Sequence, residues 1–244
     1  MQELNQRLSS IRVTRGKILV HLDSVGSHAK IVAADDGHGG AVALVGSCNW
    51  LGSPCSALEA SVELRDAVGA AIGLDLLPST VAKLSSATRS VETLQFTAAD
   101  LGRSTPSVTL TGGPTERAEA ELTVLYADDH ERLIRGAAHQ ARRSFVCCSN
   151  KVGAPMVPGL FNPAEVAGRR LNDARVYYSR ETGPIKNRHV KEHRERLHGV
   201  VDVLKVSVPQ VHAKFLAWDD DNLVVTSMNW GSQSGSPDNP LESA

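Results

Sequence analysis

The chain carries the same set of polar residues twice, each time inside an apolar stretch. Residues 28–49 read HAKIVAADDGHGGAVALVGSCN, and residues 212–229 read HAKFLAWDDDNLVVTSMN. Both contain H-x-K-(x)4-D followed by S-x-N. Because charged side chains among apolar neighbours cost free energy unless a counter-charge neutralises them, the pattern predicts a pocket for an anion. Two copies in one chain also predict an internal structural repeat.

Each copy is expected to form a β-hairpin. Successive strand residues point to opposite faces, so a histidine and a lysine two positions apart share a face, as do the serine and asparagine of S-x-N. A turn at the acidic residues brings the two pairs together. The side chains predicted to converge are His28, Lys30, Ser47 and Asn49 in the first copy, and His212, Lys214, Ser227 and Asn229 in the second.

These groups suit displacement at phosphorus. Lysine and asparagine side chains neutralise and bind the phosphate oxygens, one histidine attacks phosphorus, and the other protonates the leaving oxygen and then activates water. A carboxylate must hold each imidazole in its tautomer. For His28 we expect Glu63, on a predicted strand, with Glu59 as the second candidate. For His212 the sequence offers Glu242 downstream, or a residue beyond the chain end.

The repeat divides the chain into a first lobe at 1–98, a linker rich in Gly, Ser, Thr and Pro at 99–118, and a second lobe at 119–244. The second lobe is predicted to contain a strand at 122–126, a helix at 128–143, a strand from 144, a loop at 153–163, a helix at 186–198 and a strand at 200–206. The first copy is preceded only by a short helix and a strand. We therefore expect a fragment of a longer protein with an incomplete first lobe, or a naturally shorter first lobe.

Composition limits the partners. The net charge of −1 gives no global attraction to nucleic acid or anionic membranes. Residues 169–196 hold nine Lys/Arg against four Asp/Glu, which indicates either a solvated helix with ion pairs or a track for a nucleic-acid backbone.

The sequence shows no membrane-length apolar run and no signal-peptide pattern. Four cysteines without C-x-x-C spacing are expected to be small buried hydrophobes, which favours a reduced, cytoplasmic setting.

The two motifs closely resemble the double HKD motif of the phospholipase D superfamily, in particular its bacterial phosphodiesterases and nucleases. The resemblance implies an α/β fold with a pseudo-twofold repeat, two lobes each carrying a mixed sheet flanked by helices, and one active site between them. It implies scaffold roles for Asp35 and Asp219. One departure is Thr226 in the second copy where Gly46 stands in the first. The implied catalytic set is His28, Lys30, Asn49, His212, Lys214 and Asn229, with Ser47 and Ser227 as substrate-binding residues.

We therefore expect hydrolysis or transfer at a phosphodiester through a phosphohistidine, with His28 as nucleophile and His212 as general acid. Neither metal nor cofactor is implied, since lysine is a poor ligand and the sequence shows no zinc-type spacing. Nucleic acid is the favoured substrate. The alternatives are a phospholipase D or phospholipid synthase, and a non-catalytic module of a larger protein. The other seven histidines are expected on surfaces or helix faces, and Trp50 and Trp230 in core packing.

Overall fold

The computed structural model describes residues 29–35, 41–50, 56–65, 71, 92, 95–96, 98–99, 122–123, 125–126 and 129–232. These residues form a mixed α/β structure with two sheets. The strands are β1 (Ile31–Asp35), β2 (Ala41–Gly46), β3 (Ser61–Leu64), β4 (Ser144–Val152), β5 (Asp173–Glu181), β6 (Asp202–Lys205), β7 (Phe215–Trp218) and β8 (Asn222–Val225). The helices are α1 (Asp129–Gln140), a π-helical turn (Val157–Phe161), α2 (Asn162–Gly168) and α3 (Asn187–Leu197).

The larger sheet has the strand order β6-β5-β4-β7-β8. Strand β4 pairs in parallel with β5, as β5 does with β6, while β4–β7 and β7–β8 are antiparallel. The smaller sheet is the antiparallel meander β1-β2-β3. Parallel strands require crossover connections, and α2 and α3 supply them between β4, β5 and β6.

The main core lies where the helices pack on the larger sheet. In and just after α1, Ile134, Ala137, Ala138 and Ala141 are buried, a spacing that places them on one helical stripe. They pack with strand residues such as Phe145 and with the α2 region in one continuous cluster. This core holds β4 and β7 in place and thereby fixes the start of the second motif hairpin.

The two motif hairpins have matching registers. Ile31 lies opposite Val45 as Phe215 lies opposite Val225, each directly after the motif lysine. In both copies the residue before the motif serine donates its backbone N–H to the lysine carbonyl, from Gly46 to Lys30 at 3.2 Å and from Thr226 to Lys214 at 3.0 Å. The predicted hairpins are therefore confirmed. The first is one pair longer, ending with Asp35 opposite Ala41.

Most predicted elements of the second lobe are confirmed, and some predictions were wrong. The predicted strand at 122–126 is not formed by its four described residues. The predicted loop at 153–163 contains the π-helical turn and the start of α2, and β5 was not predicted although its sequence DARVYYSRE alternates. The predicted elements before the first motif and the linker beyond Ala99 lie outside the described residues.

Among the described helices, none combines the length and apolar character needed to cross a membrane.

Candidate active site

Residues 58–60, immediately before β3, connect the two motifs through backbone hydrogen bonds. The Leu58 carbonyl accepts from the N–H groups of His212 and Ala213, both at 2.8 Å, and the Leu58 N–H donates to the Gln210 carbonyl at 2.9 Å. On the other side, the Ser47 N–H donates to the Ala60 carbonyl at 2.9 Å. The segment therefore places the serine of the first motif and the histidine of the second on either side of Glu59.

The Glu59 carboxylate binds both motifs. His212 Nδ1 lies 2.8 Å from Glu59 Oε1 and 3.0 Å from Oε2, and the two side chains are only 19% and 17% exposed. The Ser47 hydroxyl donates to Glu59 Oε2 at 2.5 Å and accepts from the Ala60 N–H at 3.1 Å. One carboxylate thus joins a serine of the first copy to a histidine of the second.

This contact fixes the chemistry open to His212. A carboxylate only accepts hydrogen bonds, so the proton of the imidazole lies on Nδ1. That tautomer leaves Nε2 with its lone pair, the arrangement required of a nucleophile or general base. Lys214 Nζ lies 3.4 Å from Nε2 and donates to the His212 carbonyl at 2.6 Å. The ammonium group is therefore next to the reactive nitrogen.

The two motif lysines come together at Glu59. Burial lowers the pKa of Lys214 to about 8, an effect that Lys30 and Lys151 reinforce and Glu59 opposes. Burial likewise lowers the pKa of Lys30, again opposed by Glu59. Lys30 and Lys151 thus both act on Lys214, and Glu59 is the carboxylate among the described residues that acts on Lys30 and Lys214, so this region carries excess positive charge. Such a pocket is electrostatically suited to an anion.

The motif asparagines differ in burial. Asn229 is 5% exposed, and its Oδ1 accepts from the Lys151 N–H at 3.1 Å, which fixes its amide against the end of β4. Asn49 is exposed. Ser227 is half-buried, whereas Ser47 is fully buried against Glu59. The second motif contributes the more buried asparagine and the first the more buried serine.

The carboxylate expected for His212 needs correction. Its partner is Glu59, which had been the second candidate for His28 of the opposite copy. The reason is that residues 58–60 run beside residues 210–213, which brings Glu59 to His212. Glu63, the first candidate for His28, lies on β3, where its side chain is 40% exposed and pairs with Arg65 at 2.5 Å. His28 and Glu242 lie outside the described residues, so the partner expected for His28 stays a prediction.

His130 was expected on a surface or helix face, but it is buried at the start of α1. Its Nδ1 lies 2.9 Å from the Tyr126 carbonyl, which can only accept, so Nε2 at 2.9 Å accepts from the Thr226 hydroxyl. The same hydroxyl accepts from the Met228 N–H at 3.0 Å. This network secures the strand end that carries Ser227 and Asn229. The sequence signal for this network was Thr226, which has a hydroxyl group at the position where the other copy has glycine.

Asp219 performs the scaffold role expected of it. Its carboxylate accepts backbone N–H bonds from Arg142, Arg143 and Ser144 at 3.0, 2.7 and 3.3 Å, joining the β7–β8 turn to the start of β4. These bonds, that of Arg143 foremost, lower the pKa of Asp219. The side chain of Asp35 lies outside the described set.

The cysteine prediction is confirmed for Cys48, Cys147 and Cys148, which are buried and unbridged. Burial raises the pKa of Cys148 to about 12, so it stays a thiol beside the lysines. Trp230 is buried and its ring centroid lies 5.0 Å from that of His130, as expected for a packing residue. Trp50 is 42% exposed, so the packing prediction was wrong for this residue.

Part of the basic stretch at 169–196 is held in ion pairs and backbone contacts. Arg169 and Arg196 both bind Glu165, Arg175 binds Asp173, and Lys191 lies 3.8 Å from Glu195. Arg170 donates to backbone carbonyls. For these five residues the interpretation as an ion-paired, structural surface fits better than a nucleic-acid track. The basic groups next to His212 are instead Lys214 and the two lysines that act on it, Lys30 and Lys151.

Comparisons with protein-family models, curated proteins and solved structures each found no match to this chain. In the described part of the chain, His, Cys, Asp and Glu side chains form no group of three or more placed to hold a metal ion.

Proposed function

We propose that the chain is a phosphodiesterase that forms one active site from its two motifs, as in the phospholipase D superfamily. The observation that carries the proposal is the Glu59–His212 pair, in which the first lobe orients the catalytic group of the second beside Lys214. Matching hairpin registers support a pseudo-twofold arrangement of two lobes, at 1–98 and 119–244, joined by a linker.

In the proposed reaction, the scissile phosphate binds between Lys30 and Lys214, with Asn49 and Asn229 donating to its oxygens. His28 attacks phosphorus and forms a phosphohistidine, while His212, as the imidazolium with Glu59 as its counter-charge, protonates the leaving oxygen through Nε2 and becomes the neutral ring with its proton on Nδ1. His212 then takes a proton from water, which attacks the phosphohistidine and releases the product. The ammonium groups stabilise the charge that develops on the phosphoryl oxygens.

The substrate class we favour is nucleic acid. The excess positive charge at the site supports an anionic substrate, although the net charge of the whole chain is −1. A phospholipid headgroup is the alternative, and a non-catalytic interaction module is the third.

Purified protein incubated with end-labelled single- and double-stranded DNA in EDTA tests the proposal. We expect cleavage, together with a labelled enzyme intermediate that is stable in alkali and labile in acid. Release of choline or glycerol from liposomes without DNA cleavage would favour the lipid enzyme. Absence of turnover on every phosphodiester, with the protein folded, would leave the non-catalytic module.

A further inference from the structure

Lys151 is a third cation at the site, and it belongs to neither motif. It lies near the carboxyl end of β4, the edge of a parallel strand pair where ligands bind in open α/β sheets. Its backbone N–H donates to Asn229 Oδ1 at 3.1 Å, which fixes its Cα beside a motif asparagine. The side chain is half-buried, and its charge contributes to lowering the pKa of Lys214.

The charge of Lys151 is not neutralised within the described part of the chain, where no carboxylate forms an ion pair with it. Lys214, the ammonium group 3.4 Å from His212 Nε2, already supplies the single positive charge that one phosphodiester requires. Lys151 adds a charge beyond that requirement. The site is therefore built for more negative charge than a single phosphodiester carries.

The positive charge continues along the same edge of the sheet. Arg180 lies in register with Lys151 on the neighbouring strand β5, is exposed, and has no carboxylate partner among the described residues. Adjacent strands are about 4.8 Å apart, so in-register residues form a continuous row. The row leads away from Lys214 across β4 to β5.

We infer that Lys151 binds the phosphate next to the scissile one, so that the substrate is a nucleic-acid strand with consecutive phosphates. The inference rests on the proposed function and adds a binding site for the phosphate next to the scissile one. A zwitterionic lipid would instead bring a quaternary ammonium group towards Lys151, which repels it.

Binding separates this inference from the proposed chemistry. In the His212→Asn background, a fluorescent single-stranded 12-mer is titrated by anisotropy at several salt concentrations. Adding Lys151→Gln should weaken binding roughly tenfold at low salt and reduce the slope of log K against log[salt] by about 0.7, one phosphate contact on a single strand. Arg132→Gln, which removes one charge from an 83%-exposed side chain on α1, is the matched control and should change neither by more than about twofold.

Turnover supplies the second comparison. Lys151→Gln should lower kcat/KM about tenfold on the oligonucleotide and leave bis(p-nitrophenyl) phosphate, which has one phosphate, within about twofold of the wild type. Retained cleavage of the small substrate also shows that the variant is folded. Equal losses on both substrates, an unchanged salt slope, or no oligonucleotide binding by His212→Asn protein would overturn the inference. The proposed function fails separately, if the wild type hydrolyses neither substrate.

Discussion

The two motif hairpins share a register but have different surroundings. In the first, Gly46 is covered by the start of β3, and a Cβ there would lie 2.6 Å from the Ala60 carbonyl oxygen and also contact Ser61 Oγ. In the second, the equivalent Thr226 meets α1, where its hydroxyl binds His130. The same local pattern is thus packed against a strand in one copy and a helix in the other.

The difference shows that the two copies have different structural roles. Because Gly46 has no side chain, residues 58–60 can lie close against the first hairpin. In this position they place Glu59 beside His212. The second hairpin is fixed by the larger core, by Thr226 and by Asp219. The first copy therefore positions the histidine of the second, which explains why neither copy makes a complete site.

Removal of either histidine should have the largest effect. His212→Asn and His28→Asn should each lower kcat by at least roughly 10³-fold, because nucleophilic and acid–base roles cannot be passed to the other copy. His139→Asn, on the exposed surface of α1, is the matched control and should stay within about twofold. Substantial activity in either motif variant would contradict the two-histidine scheme.

Glu59 offers the next test, with Glu195 as the matched control. Glu59→Gln should lower kcat about 10²-fold, with KM little changed, because an amide does not hold His212 in one tautomer as a carboxylate does. Glu195→Gln makes the same change at an exposed carboxylate that pairs with Lys191, and should be nearly silent. Steady-state kinetics compare the two variants. Equal losses of kcat would contradict the assignment of Glu59 as the carboxylate that orients His212.

The pH profile tests the buried lysine. The pKa of Lys214 is lowered to about 8, so its ammonium is present below that pH and is lost as pH rises. If the ammonium binds phosphate, kcat/KM should fall about tenfold between pH 7 and 9, since this parameter reports the free enzyme. Lys214→Arg keeps its charge and should remove this limb at reduced overall activity. A wild-type profile flat to pH 9.5 would contradict the role.

Substitutions at Gly46 and Thr226 should have the smallest effects, and the two should differ in how much they lower activity. Gly46→Ala should lower the free energy of unfolding by roughly 1–3 kcal/mol through overpacking and also reduce kcat, because the Ala60 backbone must shift with Glu59. Thr226→Ala should lower stability by about 1–2 kcal/mol by leaving His130 and Met228 without their partner. Urea unfolding with parallel activity measurements compares them. Equal losses of activity in the two variants would argue against different roles for the two hairpins.

The sequence predicted what depends on local pattern. Strand alternation and acidic turn residues were sufficient to predict both hairpins, and the repeat was sufficient to predict that Lys30 and Lys214 act on one another. The Glu59–His212 contact could not be predicted because it joins residues 153 positions apart through the packing of two lobes. Glu63 suited a strand pattern, but it lies on β3, four residues beyond the carboxylate that makes the contact.

Other differences also arise from tertiary packing. His130 follows a helix start signal and has no local feature that distinguishes a buried position from an exposed one. Lys151 ends a buried strand, but only the sheet order places it beside Asn229. The apolar residues at 122–126 suited a strand, yet Leu122 and Tyr126 are exposed. A high strand propensity is not sufficient to form a strand when there is no neighbouring strand to pair with.

The tautomer of His212 is the most direct test of a site shared between the copies. Nitrogen NMR of ¹⁵N-histidine-labelled protein, assigned by comparison with His212→Asn, reports which ring nitrogen carries the proton. The structure predicts a proton on Nδ1 with Nε2 unprotonated in the neutral ring, a state lost in Glu59→Gln and retained in Glu63→Gln. A neutral ring that carries its proton on Nε2 in the wild type, or a signal indifferent to Glu59→Gln, would contradict the account.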